Sequence, residues 1–102
     1  MAKEIILYNL ADHVTDEEFK DYVTKDKGPL IESLPSVKKY TLVKITKSPT
    51  GEIPYKYVGI VDITSVDDFL QKDAQSQKYQ DFRAKFGTMV SNAQILFGEE
   101  IY

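Results

Sequence analysis

A charged triplet, Lys25-Asp26-Lys27, stands near the end of the first predicted helix. Phe19, Tyr22 and Val23 share one helical face, and Asp26 is the next position along it. A carboxylate that faced inward there would be partly desolvated, so its pKa would rise as a general base requires. The alternative is a solvated acid near a helix end, weakly paired with the neighbouring lysines. Asp26 is therefore our first candidate for acid–base chemistry.

His13 is the second candidate, because it is the only histidine in the chain. Histidine is the side chain whose unperturbed pKa lies near neutrality. His13 follows the first predicted strand, where a pocket could open, although a loop residue is more often exposed. A zinc site needs several nitrogen or sulfur ligands, and the chain has no cysteine. We expect no metal and no cofactor; haem, which needs one axial ligand, is disfavoured less strongly.

Several aromatic and polar side chains are candidates for holding a ligand. A tyrosine offers a flat apolar ring and a phenol tip, which suits a planar aromatic ligand, but it is equally suited to a core or an interface. Arg83 could bind a ligand carboxylate, or could lay its stem along an apolar helix face. Asn9 could point into a cavity or mark the rim of the sheet. The tyrosines concerned are Tyr8, Tyr40, Tyr57 and Tyr79, and Lys27 is a further candidate for holding a ligand.

Two capping boxes predict where the helices begin. Thr15 with Glu18 opens a helix that we expect to reach about Lys27, where Gly28-Pro29 breaks it before a short turn over 30–34. Ser65 with Asp68 opens the second helical region, which resumes after a polar break and ends at Gly87.

Four segments have the composition of strands. Residues 4–10 are apolar at successive positions, which is typical of a strand buried on both faces. Residues 37–47 and 55–63 form a predicted hairpin around the turn at 48–52, and residues 93–97 or beyond form the last strand. The order β-α-β-β-α-β predicts an α+β, ferredoxin-like fold with a four-stranded antiparallel sheet.

The strands predict a second copy of the chain as partner. The strands are apolar at both odd and even positions, so both faces of the sheet are apolar. The two helical regions can cover only one of these faces. A bare apolar face of this size predicts a partner surface, and two-fold homodimers are the commonest soluble assemblies. A monomer remains the alternative if some of these residues lie at strand ends.

Length and charge exclude several classes of protein. We interpret the 102 residues as one domain, 1–102. The net charge of −3 and scattered basic residues argue against nucleic acid as a partner. The chain has no apolar run long enough for a membrane span and no signal peptide before the first strand, so we expect a cytoplasmic protein. The lack of cysteine fits a reducing compartment.

Two stretches carry a family resemblance. Phe19-x-x-Tyr22 followed by Lys27-Gly28-Pro29-Leu30, and then by Leu34-Pro35 and Val37-x-x-Tyr40, resembles the EthD-type dimeric α+β barrels. Their helix ends in F-x-x-Y-W-x-x-x-H-x-P-L. The tail over 92–100 is similar to the RedY/HapK-like branch, which is associated with prodiginine-type pigment pathways.

The resemblance implies a homodimer whose sheets form a barrel and whose subunits each carry a pocket between sheet and helices. The superfamily includes cofactor-free monooxygenases, isomerases, cyclases and haem-degrading enzymes, so the fold does not choose the chemistry. The family's histidine position is Lys27 here, and its tryptophan position is Val23. Lysine could replace the histidine as a proton carrier only if burial lowered its pKa strongly.

Three hypotheses about function follow. The first is a protein that binds a small hydrophobic, aromatic or polyketide-like metabolite and isomerises, cyclises or dehydrates it without a cofactor, with Asp26 and His13 as acid and base. The second is a non-catalytic ligand-binding or accessory protein. The third is a cofactor-free or haem-linked monooxygenase.

Overall fold

The computed structural model describes all residues, 1–102, and confirms the predicted α+β order. The strands are β1 (Ala2–Leu10), β2 (Val37–Lys44), β3 (Tyr57–Ile63) and β4 (Val90–Glu99). The helices are α1 (Asp16–Tyr22), α2 (Gly28–Glu32), α3 (Val66–Gln71) and α4 (Gln77–Gly87). A π-helical turn, Val23–Lys27, joins α1 to α2, and a 3₁₀ turn, Asp73–Gln75, joins α3 to α4. No helix has the length and apolarity needed to span a membrane.

The four strands form one antiparallel sheet in the order β2-β3-β1-β4. The helical region between β1 and β2 carries the chain past the position of β3, and the region between β3 and β4 carries it past β1. These two crossings give the observed strand order. Val37 to Lys44 is shorter than the predicted strand, whereas β1 and β4 extend beyond their predicted bounds. The β1–β4 pairing shifts register between Leu7 and Asn9.

One face of the sheet is packed against the helices and holds the core. Ring pairs connect β1, β3, α1 and α4: Tyr8 stacks on Tyr57 with ring centroids 5.6 Å apart, and meets Phe86 edge to face at 5.1 Å. Phe19 meets Tyr57 at 5.1 Å. Such pairs add about 1 kcal/mol each beyond the burial of their area.

The predicted helix caps form. The Thr15 hydroxyl accepts a hydrogen bond from the Glu18 amide, and the Ser65 hydroxyl accepts one from the Asp68 amide. Each satisfies an amide that the first turn of a helix leaves without a partner. Helices α1 and α3 therefore begin where the sequence predicts.

The other face of the sheet has no helix over it. Residues that pair across two strands lie on the same face of the sheet. The odd-numbered residues of β1 pair with the even-numbered residues of β3, and both sets lie on this outer face. Its apolar members are Ile5, Leu7, Val43, Val58, Ile60 and Leu96, and we call them the outer-face cluster. Among them Val43 is 42% and Leu96 48% exposed. The charged pair on this face is Lys3 with Asp62, 2.5 Å apart.

Candidate functional site

The π-helical turn decides which charged residue of Lys25-Asp26-Lys27 faces the core. The Gly28 amide donates to the Val23 carbonyl, a span of five residues in place of the usual four. This wider turn adds one residue, so the inner face that carries Phe19 and Tyr22 continues at Lys27. Asp26, which a regular helix would place there, lies exposed.

The turn depends on Gly28 and Pro29. A Cβ at position 28 would lie 2.9 Å from the Val23 carbonyl oxygen, closer than side chains are found. Pro29 has no amide hydrogen, and in a regular helix its ring would clash with the carbonyl four residues earlier. The Gly-Pro pair that the sequence analysis interpreted as a helix break therefore widens the helix instead, and α2 continues to Glu32.

Lys27 is buried in an aromatic surround, with 2% of its surface exposed. Its Nζ donates to the Tyr40 hydroxyl oxygen at 2.5 Å. The same nitrogen lies 4.6 Å from the centroid of the Tyr40 ring, 4.8 Å from that of Phe86 and 5.8 Å from that of Tyr8. None of the ion pairs in the molecule includes Lys27.

Burial lowers the pKa of Lys27 from 10.5 to about 7, because an ammonium ion without a carboxylate partner is poorly solvated there. The negative charge of Glu4 opposes this shift only in part. This is the condition under which a lysine can carry a proton in place of the histidine of the EthD-type motif.

Glu4 is the second buried titratable group, with 2% of its surface exposed. It lies on the helix-facing side of β1, paired with Val61 and Phe97 of the neighbouring strands. Burial raises the pKa of its carboxyl from 4.5 to about 7, while Arg83 and Lys27 pull it down. The Glu4 carboxyl and the Lys27 amine, each with a pKa of about 7, thus lie in the same buried region of the protein.

Glu4 and Lys27 line a small, largely enclosed cavity between the sheet and the helices. Its volume is about 20 Å³, room for about one water molecule. Its other polar groups are Tyr40, Tyr79 and Arg83, and its remaining walls are apolar: Ile6, Ile31, Val61, Phe82, Phe86 and Ile95. We call this space the inner cavity.

Arg83 stands at the surface end of the inner cavity. Its side chain is exposed, and its guanidinium carbon lies 6.0 Å from the centroid of the Tyr79 ring. The charged group thus lies over an aromatic ring at the edge of the cavity while the residue stays exposed to solvent.

A larger cleft opens beside α1. It measures about 500 Å³ and lies between α1, the π-helical turn, β2 and β3. Its apolar wall consists of Phe19, Val23, Leu42 and Tyr57, and its rim carries Asp16, Lys20 and Lys44 among others. We call it the outer cleft. Its volume is in the range of small-molecule sites.

Asp16 organises the rim of the outer cleft. One carboxylate oxygen accepts from the Tyr57 hydroxyl at 2.6 Å, and the other accepts from Lys44 at 3.1 Å and Lys56 at 3.0 Å. The Tyr57 hydroxyl and the two lysines hold the pKa of Asp16 well below its usual range. Burial and this bond raise the pKa of Tyr57. Asp16 therefore stays ionised and fixes Tyr57 in place.

The other predicted residues take structural or exposed positions. His13 is exposed in the loop after β1. The Asn9 side chain donates to the Pro54 carbonyl and accepts from the Lys56 amide, both at 2.9 Å, so it clamps the β2–β3 loop. Tyr8 is fully buried and its hydroxyl has no hydrogen-bond partner. Burial raises the pKa of Tyr8 and keeps the phenol neutral.

The structure brings together four of the predicted ligand residues, Lys27, Tyr40, Tyr79 and Arg83, at the inner cavity. It places Asp26 and His13 at the surface, the less reactive of the two interpretations that each allowed. Glu4 was missed. The sequence does indicate where Glu4 lies, because alternation along β1 puts it on the same face as Ile6 and Tyr8. An acid near the start of a strand, however, is usually solvated.

The model of the REDY-like protein HapK family matches residues 2–101. The chain belongs to the HapK family. The match covers every element that lines the inner cavity and the outer cleft.

Several solved structures of other proteins have the same fold as this chain. HapK from Hahella chejuensis is 23% identical, with a TM-score of 0.82 over 99% of this chain and 93% of its own. An EthD family protein from Bacillus halodurans is 21% identical, with a TM-score of 0.76 over 99% of each chain. A hydroxynitrile lyase from Passiflora edulis is 15% identical, with a TM-score of 0.82 over 99% of this chain and 95% of its own. No curated protein sequence matches the chain.

Proposed function

We propose that this HapK-family protein binds a small hydrophobic, aromatic or polyketide-like metabolite and catalyses a proton transfer on it without a cofactor. Isomerisation, cyclisation and dehydration are the reaction types that such a transfer serves. The observation that carries the proposal is the buried Lys27 amine, 2.5 Å from the Tyr40 hydroxyl and without an ion-pair partner. A general acid–base group works best when its pKa is close to the working pH, and that of Lys27 is about 7.

Lys27 serves as the base and Glu4 as the acid in this proposal. In its neutral form the Lys27 amine has a lone pair that can take a proton from carbon. The neutral Glu4 carboxyl lines the same cavity and can return a proton to another atom of the ligand. Tyr40 orients the amine, and its own phenol stays neutral because burial raises its pKa.

The body of the ligand is assigned to the outer cleft. Leu42 in that cleft and Tyr40 in the inner cavity are two residues apart on β2 and face the same side of the sheet. The cleft wall also includes Phe19 and Tyr57, both of which pack on Tyr8 beside Lys27. A flat ligand on this aromatic wall would direct its edge toward Tyr40.

The working unit in this proposal is a homodimer joined through the outer faces of the two sheets. The outer-face cluster runs across all four strands and no part of the chain covers it. A second copy would bury it about a two-fold axis. The two sheets would then pack face to face and form the barrel that the EthD resemblance implies.

The proposal is tested with phenylacetone, an aromatic ketone whose benzylic hydrogens exchange slowly in buffer. Proton NMR in D₂O near neutral pD follows the replacement of these hydrogens by deuterium. We expect the protein to accelerate the exchange and Lys27→Met, an apolar side chain of similar length, to abolish the acceleration. Asp26→Asn and His13→Ala test the surface alternatives, and both are expected to exchange at the wild-type rate.

Two results would change the assignment. Acceleration that survives Lys27→Met but is lost in Asp26→Asn or His13→Ala would move the base to the surface. A ligand that raises the melting temperature of the protein while no exchange is accelerated would favour the non-catalytic binding protein.

A further inference from the structure

Lys27 has a second property that proton transfer does not use. A neutral amine is a nucleophile, and lysines in apolar surroundings form Schiff bases with carbonyl compounds. The Lys27 nitrogen is held at a defined position by its bond to Tyr40 and by the rings of Tyr40 and Phe86. No carboxylate oxygen lies within ion-pair distance of it, and the charge of Glu4 in the same cavity favours the ammonium form only in part.

The residues around the nitrogen meet the further needs of imine formation. Loss of water from the first adduct requires an acid, and the Glu4 carboxyl lines the same cavity. The apolar walls limit the water that would hydrolyse the imine. The positive charge of the product has a partner, because Glu4 becomes a carboxylate when it gives up its proton.

We propose that Lys27 forms a covalent imine with an aldehyde or ketone, so that the substrate class of this protein is a carbonyl compound with an apolar body. This inference rests on the proposed function, since it uses the same cavity. It replaces a direct proton abstraction by Lys27 with one from the iminium ion, whose positive charge makes the adjacent C–H bond more acidic than that of the parent ketone. The Glu4 carboxylate left after imine formation is the base that takes this proton.

The steps balance without an oxidant or a reductant. The Lys27 nitrogen bonds to the carbonyl carbon as the C=O π bond breaks, and a proton moves from nitrogen to oxygen to give a carbinolamine. The nitrogen lone pair then expels the hydroxyl group, which takes the proton of Glu4 and leaves as water. An iminium ion on Lys27 and a carboxylate on Glu4 remain.

Access to the nitrogen requires the inner cavity to open, since its volume holds about one water. Arg83 and Ile95 form its exposed part, and Ile95 is 38% exposed. Rotation of the Arg83 side chain away from Tyr79 would open the cavity at its α4–β4 end, and the carbonyl end of a ligand whose body lies in the outer cleft would have to enter past Tyr40. The structure therefore favours a small or flat carbonyl group over a branched one.

The test is reductive trapping with propanal and sodium cyanoborohydride at pH 7, followed by peptide mass mapping. The hydride fixes any imine as a propylamine. Lys85 is the internal reference, because it too lies over an aromatic ring, 4.9 Å from the Tyr22 centroid, but is exposed. A lysine with the reference pKa is neutral in less than about one part in a thousand at this pH. We expect Lys27 to be labelled at least about tenfold faster than Lys85.

Variants separate the chemistry from folding. Lys27→Met is expected to lose the fast label, and Lys85→Gln to keep it. Tyr40→Phe keeps the cavity filled but removes the hydroxyl that orients the amine, so its labelling of Lys27 is expected to be slower. The proposal is overturned if Lys27 stays unlabelled in the folded protein while the same reagents label it in urea.

The result also distinguishes this inference from the proposed function. Accelerated deuterium exchange without trapping at Lys27 would leave the proton-transfer proposal standing and refute the imine. If neither accelerated deuterium exchange nor trapping at Lys27 is observed, the proton-transfer proposal and the imine proposal are both refuted. Trapping at Lys27 that Lys27→Met abolishes supports the imine whatever the natural substrate is.

Discussion

Lys27 and Tyr40 are joined by a 2.5 Å hydrogen bond that crosses from the helical layer to the sheet. The bond exists because the π-helical turn rotates Lys27 inward and because Tyr40 faces the helices from β2. It is the closest polar contact of a side chain that has almost no access to water. The reactivity proposed for the protein depends on the burial of the Lys27 side chain.

The first prediction concerns the pH dependence of stability. The pKa of Lys27 is lowered from 10.5 to about 7, so between these values the unfolded chain binds the proton and the folded chain does not. Stability contributed by Lys27 therefore rises with pH from 7 to 10.5. The pKa of Glu4 is raised from 4.5 to about 7, so its contribution is largest below 4.5 and falls up to pH 7.

The two groups together predict a minimum in the free energy of unfolding near pH 7, with a depth on the order of 3 kcal/mol. The charged and titratable groups that share the cavity are Arg83, Tyr40 and Tyr79. Urea unfolding at pH 5, 7 and 9 measures the profile. Lys27→Met should flatten the alkaline side and Glu4→Gln the acidic side. An unchanged profile in both variants would show that neither group has a shifted pKa.

How much of this site the sequence could predict depends on the element. The strands and the two capping boxes follow from local patterns, and the family resemblance aligns Lys27 with the family's histidine, whereas the sequence favours Asp26 and His13 for acid–base chemistry. The choice between Asp26 and Lys27 does not follow from helical periodicity. It depends on one additional residue in a turn, which the Gly28-Pro29 pair indicates only once the Val23 contact is known.

Glu4 and the outer cleft illustrate a second limit. The alternation of β1 places Glu4 on the buried face, yet whether an acid there is solvated depends on α4 and β4, which are distant in sequence. Likewise Asp16 has the pattern of an ordinary acid in the first turn of a helix. Its bonds to Tyr57 and Lys44 exist only because the hairpin returns beside α1.

The second prediction concerns the π-helical turn. Gly28→Ala would place a methyl group 2.9 Å from the Val23 carbonyl, so the turn must shift or the variant is destabilised, by about 1–3 kcal/mol. Because the turn sets the orientation of Lys27, we also expect the pKa of this lysine to move back toward that of an exposed amine. Urea unfolding measures the first effect, and NMR titration of the lysine side chains measures the second.

Gly87→Ala is the matched control for that substitution. Gly87 also belongs to a helix, but a Cβ there would meet no atom within 4 Å. This variant should be as stable as the wild type or slightly more so, because alanine is the better helix former. Equal losses of stability in the two variants would contradict the role given to the Val23 contact.

The last prediction concerns assembly. Leu96 is 48% exposed at the outer face of β4, so a glutamate there is compatible with the folded monomer but would place a charge in the proposed sheet-to-sheet interface. Leu96→Glu should therefore convert a dimer into an 11.7 kDa monomer at micromolar concentration, measured by sedimentation velocity. Ile101→Glu is the control, because Ile101 is 96% exposed beyond the end of β4 and should leave the dimer intact. A wild-type protein that sediments as a monomer would refute the homodimer, and the outer-face cluster would then need another partner.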